Sequence, residues 1–67
     1  MTIVYGIKTG TGSSVSGHFI NDTGATIEDA AEWIVRRTLN QLPEDYTRKG
    51  WNVCLWVDGK VAFERTY

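Results

Sequence analysis

The first twenty residues show a hydrophobic pattern that predicts two β-strands. Residues 2–8 are rich in β-branched and aromatic side chains, with Ile3, Tyr5 and Ile7 on one side. A second run of this kind covers residues 15–20, and the small residues between the two runs favour a turn. We therefore expect a loose antiparallel hairpin at the start of the chain.

Residues 26–42 show the period of an amphipathic helix. Thr26 can cap the N-terminus with Asp29 three residues later, and Pro43 ends the pattern. An apolar stripe along one side predicts that the helix packs on a sheet. The stripe consists of Ile27, Ala31, Ile34, Val35, Thr38 and Leu42.

The end of the chain predicts a second hairpin, with strands at residues 51–57 and 60–67. Asp58-Gly59 between them is the pair that a two-residue type I′ turn prefers. Regular pairing across this turn predicts five cross-strand pairs: Val57 with Lys60, Trp56 with Val61, Leu55 with Ala62, Cys54 with Phe63, and Val53 with Glu64. The whole pattern predicts a single α+β domain over residues 1–67, a four-stranded antiparallel sheet with one helix on one face, in the order ββαββ.

Both faces of this hairpin are predicted to be apolar. One face holds Trp51, Val53, Leu55, Val57 and Ala62, and the other holds Cys54, Trp56, Val61, Phe63, Arg65 and Tyr67. One helix covers one face of an antiparallel sheet, and the other face is normally polar. Since contiguous exposed apolar surface marks interaction sites, we expect one face to contact the first hairpin's loop, a second copy or another partner.

Trp33 lies off the apolar stripe, with Arg36 and Arg37 on the polar side of the helix. One interpretation is that residues 44–50 cover Trp33 as a lid. The other is an exposed tryptophan beside two arginines, which are residue types enriched at binding hot spots. Arg48 and Lys49 would then extend a basic patch around Trp33.

Composition narrows the class of protein. The 67 residues carry seven Lys and Arg against eight Asp and Glu, for a net charge of −1, which argues against a general nucleic-acid coat. An apolar content of 42% with 12% aromatic residues excludes a disordered tail. The single cysteine excludes a disulfide within the chain, and neither a membrane span nor a signal peptide is expected.

The sequence contains no strong motif for phosphate binding, metal binding or catalysis. Residues 10–14 lack the Gly-Lys-Ser/Thr ending of a phosphate-binding loop and open no helix. His18 has no second ligand at metal-binding spacing, and Cys54 is expected to be buried in a strand, in a reducing cytosol. We therefore predict no enzymatic activity, no cofactor and no metal.

The small size, the ββαββ order with its first hairpin, the Thr-Ile-Glu-Asp-Ala-Ala helix start at residues 26–31 and the terminal Asp-Gly hairpin resemble those of very small phage-encoded proteins. These include anti-CRISPR proteins and phage inhibitors of host RNA polymerase. The same helix start is similar to the Thr-x-Glu-Glu-Ala start in HicB-type antitoxins, although the repressor domain and glycine pattern of that family are missing. The phage resemblance implies a stoichiometric binder in the host cytoplasm that blocks a host protein; no functional residue carries over from either group.

The sequence thus predicts a modulator or inhibitor that docks on a larger protein and occludes it. The predicted contact residues are Trp33, Arg36 and Arg37 on the helix, or Trp56, Phe63, Arg65 and Tyr67 on the sheet. The two sets are alternatives; if both are used, one serves the partner and the other a homodimer. Two alternatives remain: a single-stranded nucleic-acid binder that uses the sheet aromatics, and a self-associating structural subunit.

Overall fold

The structure of the chain, a computed structural model, describes residues 1–44 and 46–67. Its elements are β1 (Thr2–Lys8), β2 (Ser14–Ile20), α1 (Ile27–Asn40), β3 (Asn52–Val57) and β4 (Lys60–Thr66). The strands form one antiparallel sheet in the order β2-β1-β3-β4. The predicted α+β fold with the order ββαββ is confirmed.

The core lies between α1 and one face of the sheet. The central strands β1 and β3 contribute Ile3, Ile7, Val53 and Leu55, all buried, and Trp51 is buried just before β3. From α1 the buried residues are Ala30, Ala31, Ile34, Val35 and Thr38. The predicted stripe therefore faces the sheet, with Ala30 added to it and with Ile27 and Leu42 partly buried at its ends.

Local sequence signals fix both ends of α1. The Asp29 amide donates a hydrogen bond to Thr26 Oγ1 at 3.1 Å, which is the predicted N-terminal cap. The helix ends at Asn40, two residues earlier than predicted. There the Leu42 amide donates to the Leu39 carbonyl at 3.0 Å, a tighter turn that leads into Pro43.

The hairpin of β3 and β4 starts as predicted and then changes register. Asp58 and Gly59 have φ angles of 54° and 78°, as a type I′ turn requires. Val57 pairs with Lys60 and Trp56 with Val61, as predicted.

Beyond Trp56 the predicted register is wrong by one residue. A bulge leaves Ala62 without an opposite residue, so Leu55 pairs with Phe63 and Cys54 with Glu64. Opposite residues of an antiparallel pair lie on the same face of a sheet. The bulge therefore moves Phe63 to the face of Leu55, where it packs against the core beneath α1.

The predicted group of Trp56, Phe63, Arg65 and Tyr67 is consequently divided between the two faces. Arg65 and Tyr67 follow Phe63 onto the helix side, where the Arg65 guanidinium lies 5.2 Å from the Phe63 ring and 5.8 Å from the Tyr67 ring. Trp56 stays on the open face, the side of the sheet away from α1. The expectation of one shared aromatic face is wrong, because contact with the core favours the bulged register.

A close contact between β1 and β2 gives a stability prediction. Gly17 lies opposite Tyr5, and a Cβ at Gly17 would be 2.7 Å from Tyr5 Oη and 2.9 Å from Tyr5 Cζ. We expect Gly17→Ala to lower the free energy of unfolding by about 1–3 kcal/mol, because the rigid ring must move. Urea denaturation measures the loss, which should shrink in a Tyr5→Ala background; an equal loss in both backgrounds would contradict this account.

Candidate functional site

Trp33 lies on the flank of α1 that faces β2, and it is 51% exposed. Its ring centroid is 5.5 Å from that of Phe19 in β2, with the two ring planes tilted by 39°. Arg37, one turn later, places its guanidinium carbon 5.3 Å from the centre of the Trp33 ring. Trp33 is thus held between an aromatic ring and a cation while half of its surface stays open.

The lid over Trp33, one of the two interpretations of its position, is absent from the described residues of the 44–50 segment. Arg48 instead forms an ion pair with Glu32 at 3.2 Å and lies 5.0 Å from the centre of the Tyr67 ring. Tyr67 follows β4, at the opposite edge of the sheet from β2. Asp45, which belonged to the predicted lid, lies outside the described residues.

The predicted basic patch around Trp33 is also divided. Arg37 stacks on Trp33, whereas Arg36 lines a groove with Glu32 and Arg48 on the other flank of α1. Within the described part of the chain, Arg37 forms no ion pair. Its charge is therefore available to a carboxylate of another molecule.

A cleft opens beside Trp33, between the first half of α1 and the end of β2. Its volume is about 420 Å³, and most of its wall is apolar. The apolar lining consists of Phe19, Ile20, Ala25, Ala30 and Trp33, and the polar lining of Asn21, Thr23 and Asp29. Sequence reasoning missed Phe19 and this cleft, since they depend on β2 lying beside α1 in the folded chain.

Hydrogen bonds within the protein hold the rim of the cleft. Asn21 Nδ2 donates to the Ala25 carbonyl at 2.9 Å, and Thr23 Oγ1 donates to Asn21 Oδ1 at 3.2 Å. The Asn21 amide also donates to the Met1 carbonyl at 2.7 Å. A rim ordered in advance reduces the entropy lost when a ligand binds, and the apolar lining is left for contact.

The open face of the sheet carries one apolar row. The register places His18, Val4, Trp56 and Val61 side by side across the four strands. Val61 is 60% exposed and Trp56 is half-buried. Trp56 is the one residue of the predicted sheet set that lies on this face, so the row is a smaller surface than the sequence predicted.

Cys54 also lies on the open face, beside Trp56, but it is only 8% exposed. Burial, and to a lesser degree the nearby Glu64 carboxylate, raises the pKa of the Cys54 thiol above its ordinary value of 9.0. At neutral pH the group is therefore a protonated thiol, which is a weak nucleophile.

The raised pKa of Cys54 predicts how stability depends on pH. The folded chain keeps the thiol proton to higher pH than the unfolded chain, so this contribution is constant below pH 9.0 and is lost as the pH rises toward the folded pKa. Urea denaturation should show the wild type losing stability faster than Cys54→Ala above that pH. Parallel profiles for the two proteins would contradict the prediction.

In residues 1–44 and 46–67, no three His, Cys, Asp or Glu side chains come together as metal ligands would. Over the same residues, no helix has the length and apolar character needed to cross a bilayer.

Comparison with protein-family models, with curated proteins and with solved structures gives no match to this chain. The resemblance to small phage-encoded proteins in size and ββαββ order therefore stays a prediction, and so does the similarity of residues 26–31 to the helix start of HicB-type antitoxins. The cleft beside Trp33 and the surfaces around it are the features from which a function can be inferred.

Proposed function

We propose that this chain is a non-enzymatic modulator that docks on a larger protein through the cleft beside Trp33. The observation that carries this proposal is the half-exposed Trp33, set between Phe19 and Arg37 at the mouth of an apolar cleft. Tryptophan and arginine are enriched among the residues that dominate the energy of protein interfaces. Exposed apolar surface next to a polar rim is typical of such sites.

The cleft indicates the chemistry of the segment that it would bind. Its apolar lining suits one bulky apolar side chain from the partner. Arg37 attracts a carboxylate at one end of Trp33, whereas Asp29 on the cleft wall disfavours one at the other end. A partner segment satisfies both conditions when it places a bulky apolar side chain in the cleft and an acidic residue next to Arg37.

Occlusion is the mechanism that fits a domain of this size. A standard interface covers about 800 Å² of each partner. The chain exposes 4743 Å² in total, so such an interface uses about a sixth of its surface. The rest of the domain then blocks access to the covered site on the larger protein. The resemblance to phage-encoded inhibitors is the ground for proposing a cytoplasmic host protein as the target.

The single-stranded nucleic-acid alternative has weaker support. Base stacking along a strand needs several aromatic rings on one accessible surface. The bulge separates Trp56 from Phe63 and Tyr67, and the latter two already stack with arginines. We therefore do not propose it as a second function.

Photo-crosslinking from the rim of the cleft tests the proposal. A photoreactive amino acid in place of Thr23 is expected to give an adduct with one protein of a host lysate. The same group in place of Thr66, on the open face of β4, is the matched control and should not give that adduct. Excess wild-type chain should suppress the adduct, whereas excess Trp33→Ala chain should not. Equal adducts from both positions, or equal suppression by both chains, would contradict the proposal.

A further inference from the structure

The two edges of the sheet differ in their protection against pairing with another strand. β4 carries Lys60, Glu64, Arg65 and the bulge, which are features that keep an edge strand unpaired. The seven residues of β2 include no Asp, Glu, Lys, Arg or Pro, and they pair with β1 in unbroken register. β2 therefore offers a regular edge of backbone N–H and C=O groups.

Exposed apolar side chains gather beside this unprotected edge. Val15 is 38% exposed and Ile20 is 67% exposed, and each of them lines a surface depression together with Trp33 of α1. Val15 and Phe19 lie on the helix side of β2, because their opposite residues in β1 belong to the buried core. The apolar lining of the cleft thus reaches the edge of the sheet.

We propose that two copies of this chain pair antiparallel through their β2 strands, about a two-fold axis at Gly17. This register pairs all seven residues of each strand. Gly17 faces Gly17 of the second copy, Ser16 faces His18, Val15 faces Phe19 and Ser14 faces Ile20.

The composition and the two-fold register of β2 suit a second copy of the chain as the occupant. Antiparallel self-pairing sets no like charges opposite one another, because β2 has no Asp, Glu, Lys or Arg. Each facing pair also lies on one face of the joined sheet, with both helices on the same side. Val15 opposite Phe19 is a β-branched and aromatic pair, a combination that stabilises antiparallel strands. A 67-residue domain gains from the additional burial.

Pairing through β2 also completes the cleft, a consequence that rests on the proposed function. The second copy's Val15 would lie opposite Phe19, with the two Cβ atoms about 5 Å apart. It would add an apolar wall where the lining of the single chain ends. The two clefts would open on the same side of an eight-stranded sheet and present two equal sites to a target.

Sedimentation of the full chain and two charge variants tests the pairing and its register. We expect the wild type to sediment at twice the 7.5 kDa chain mass at high concentration. Ser16→Lys/His18→Lys should be a monomer, because the register sets lysine against lysine. Ser16→Glu/His18→Lys should recover the dimer, since it sets glutamate against lysine. Both positions are exposed, and circular dichroism verifies that the variants are folded.

A wild-type monomer, or a dimer that persists in Ser16→Lys/His18→Lys, would overturn the pairing. Failure to recover the dimer in Ser16→Glu/His18→Lys would overturn the register at Gly17. These outcomes are distinguishable from failure of the proposed function. A monomer that still forms the adduct from position 23 contradicts only the pairing, and a dimer without that adduct contradicts only the docking role.

Discussion

Replacing Trp33 by alanine is expected to weaken binding of the target about 30- to 700-fold, equivalent to about 2–4 kcal/mol. The free energy of unfolding should change by about 1 kcal/mol or less, because half of the side chain is already exposed. The substitution removes the aromatic surface at the mouth of the cleft and the ring on which Arg37 is held. Calorimetric titration with the target that photo-crosslinking has identified measures the affinity, and thermal melting measures the stability.

Val61→Ala is the matched control for this prediction. Val61 is an exposed apolar residue like Trp33, but it lies on the open face of the sheet. Its replacement should leave the affinity within about twofold of the wild type, as expected outside an interface hot spot. Equal losses for the two variants, or a large fall in melting temperature for Trp33→Ala, would show that Trp33 is not the binding anchor.

Replacing Trp51 by alanine is expected to lower the free energy of unfolding by about 3–5 kcal/mol. Trp51 is 2% exposed, so its removal leaves a large cavity in the core. A chain of this length has a total stability of only about 3–10 kcal/mol, so the variant will be largely unfolded or close to it.

The backbone of Trp51 lies at the junction of two segments. Its carbonyl accepts from the Tyr67 amide at 2.8 Å, and its amide donates to the Arg48 carbonyl at 3.1 Å. Urea denaturation followed by far-ultraviolet circular dichroism measures how much Trp51→Ala lowers the free energy of unfolding. Trp56→Ala is the control on the open face. A loss below about 1 kcal/mol for Trp51→Ala would contradict the assigned core.

The features of the fold that depend on short segments could be predicted from the sequence. The cap at Thr26 and the turn at Asp58-Gly59 each need only a few neighbouring residues, and both are found where expected. The bulge at Ala62 could not be predicted in this way. Ala62 and Phe63 are both apolar, so alternation alone allows either of them to face Leu55, and contact with the core decides between them.

The candidate site was predictable only in part. The position of Trp33 off the apolar stripe follows from helical periodicity, and its exposure was one of two interpretations. Its contact with Phe19 depends on the strand order, which sets β1 between β2 and β3 and leaves β2 at an edge. That order is a long-range property, and so neither the cleft nor the separation of Arg36 from Arg37 could be read from local pattern.

The docking surface can be mapped directly by titrating the isotopically labelled chain with its target and following amide and indole NMR signals. We expect the Trp33 indole signal and the amides of residues 19–25 to shift or broaden first. The amides of Cys54, Glu64 and Thr66 on the open face should change least. Changes concentrated on those three residues, with the Trp33 indole signal unmoved, would contradict the claim that the cleft beside Trp33 is where this protein binds.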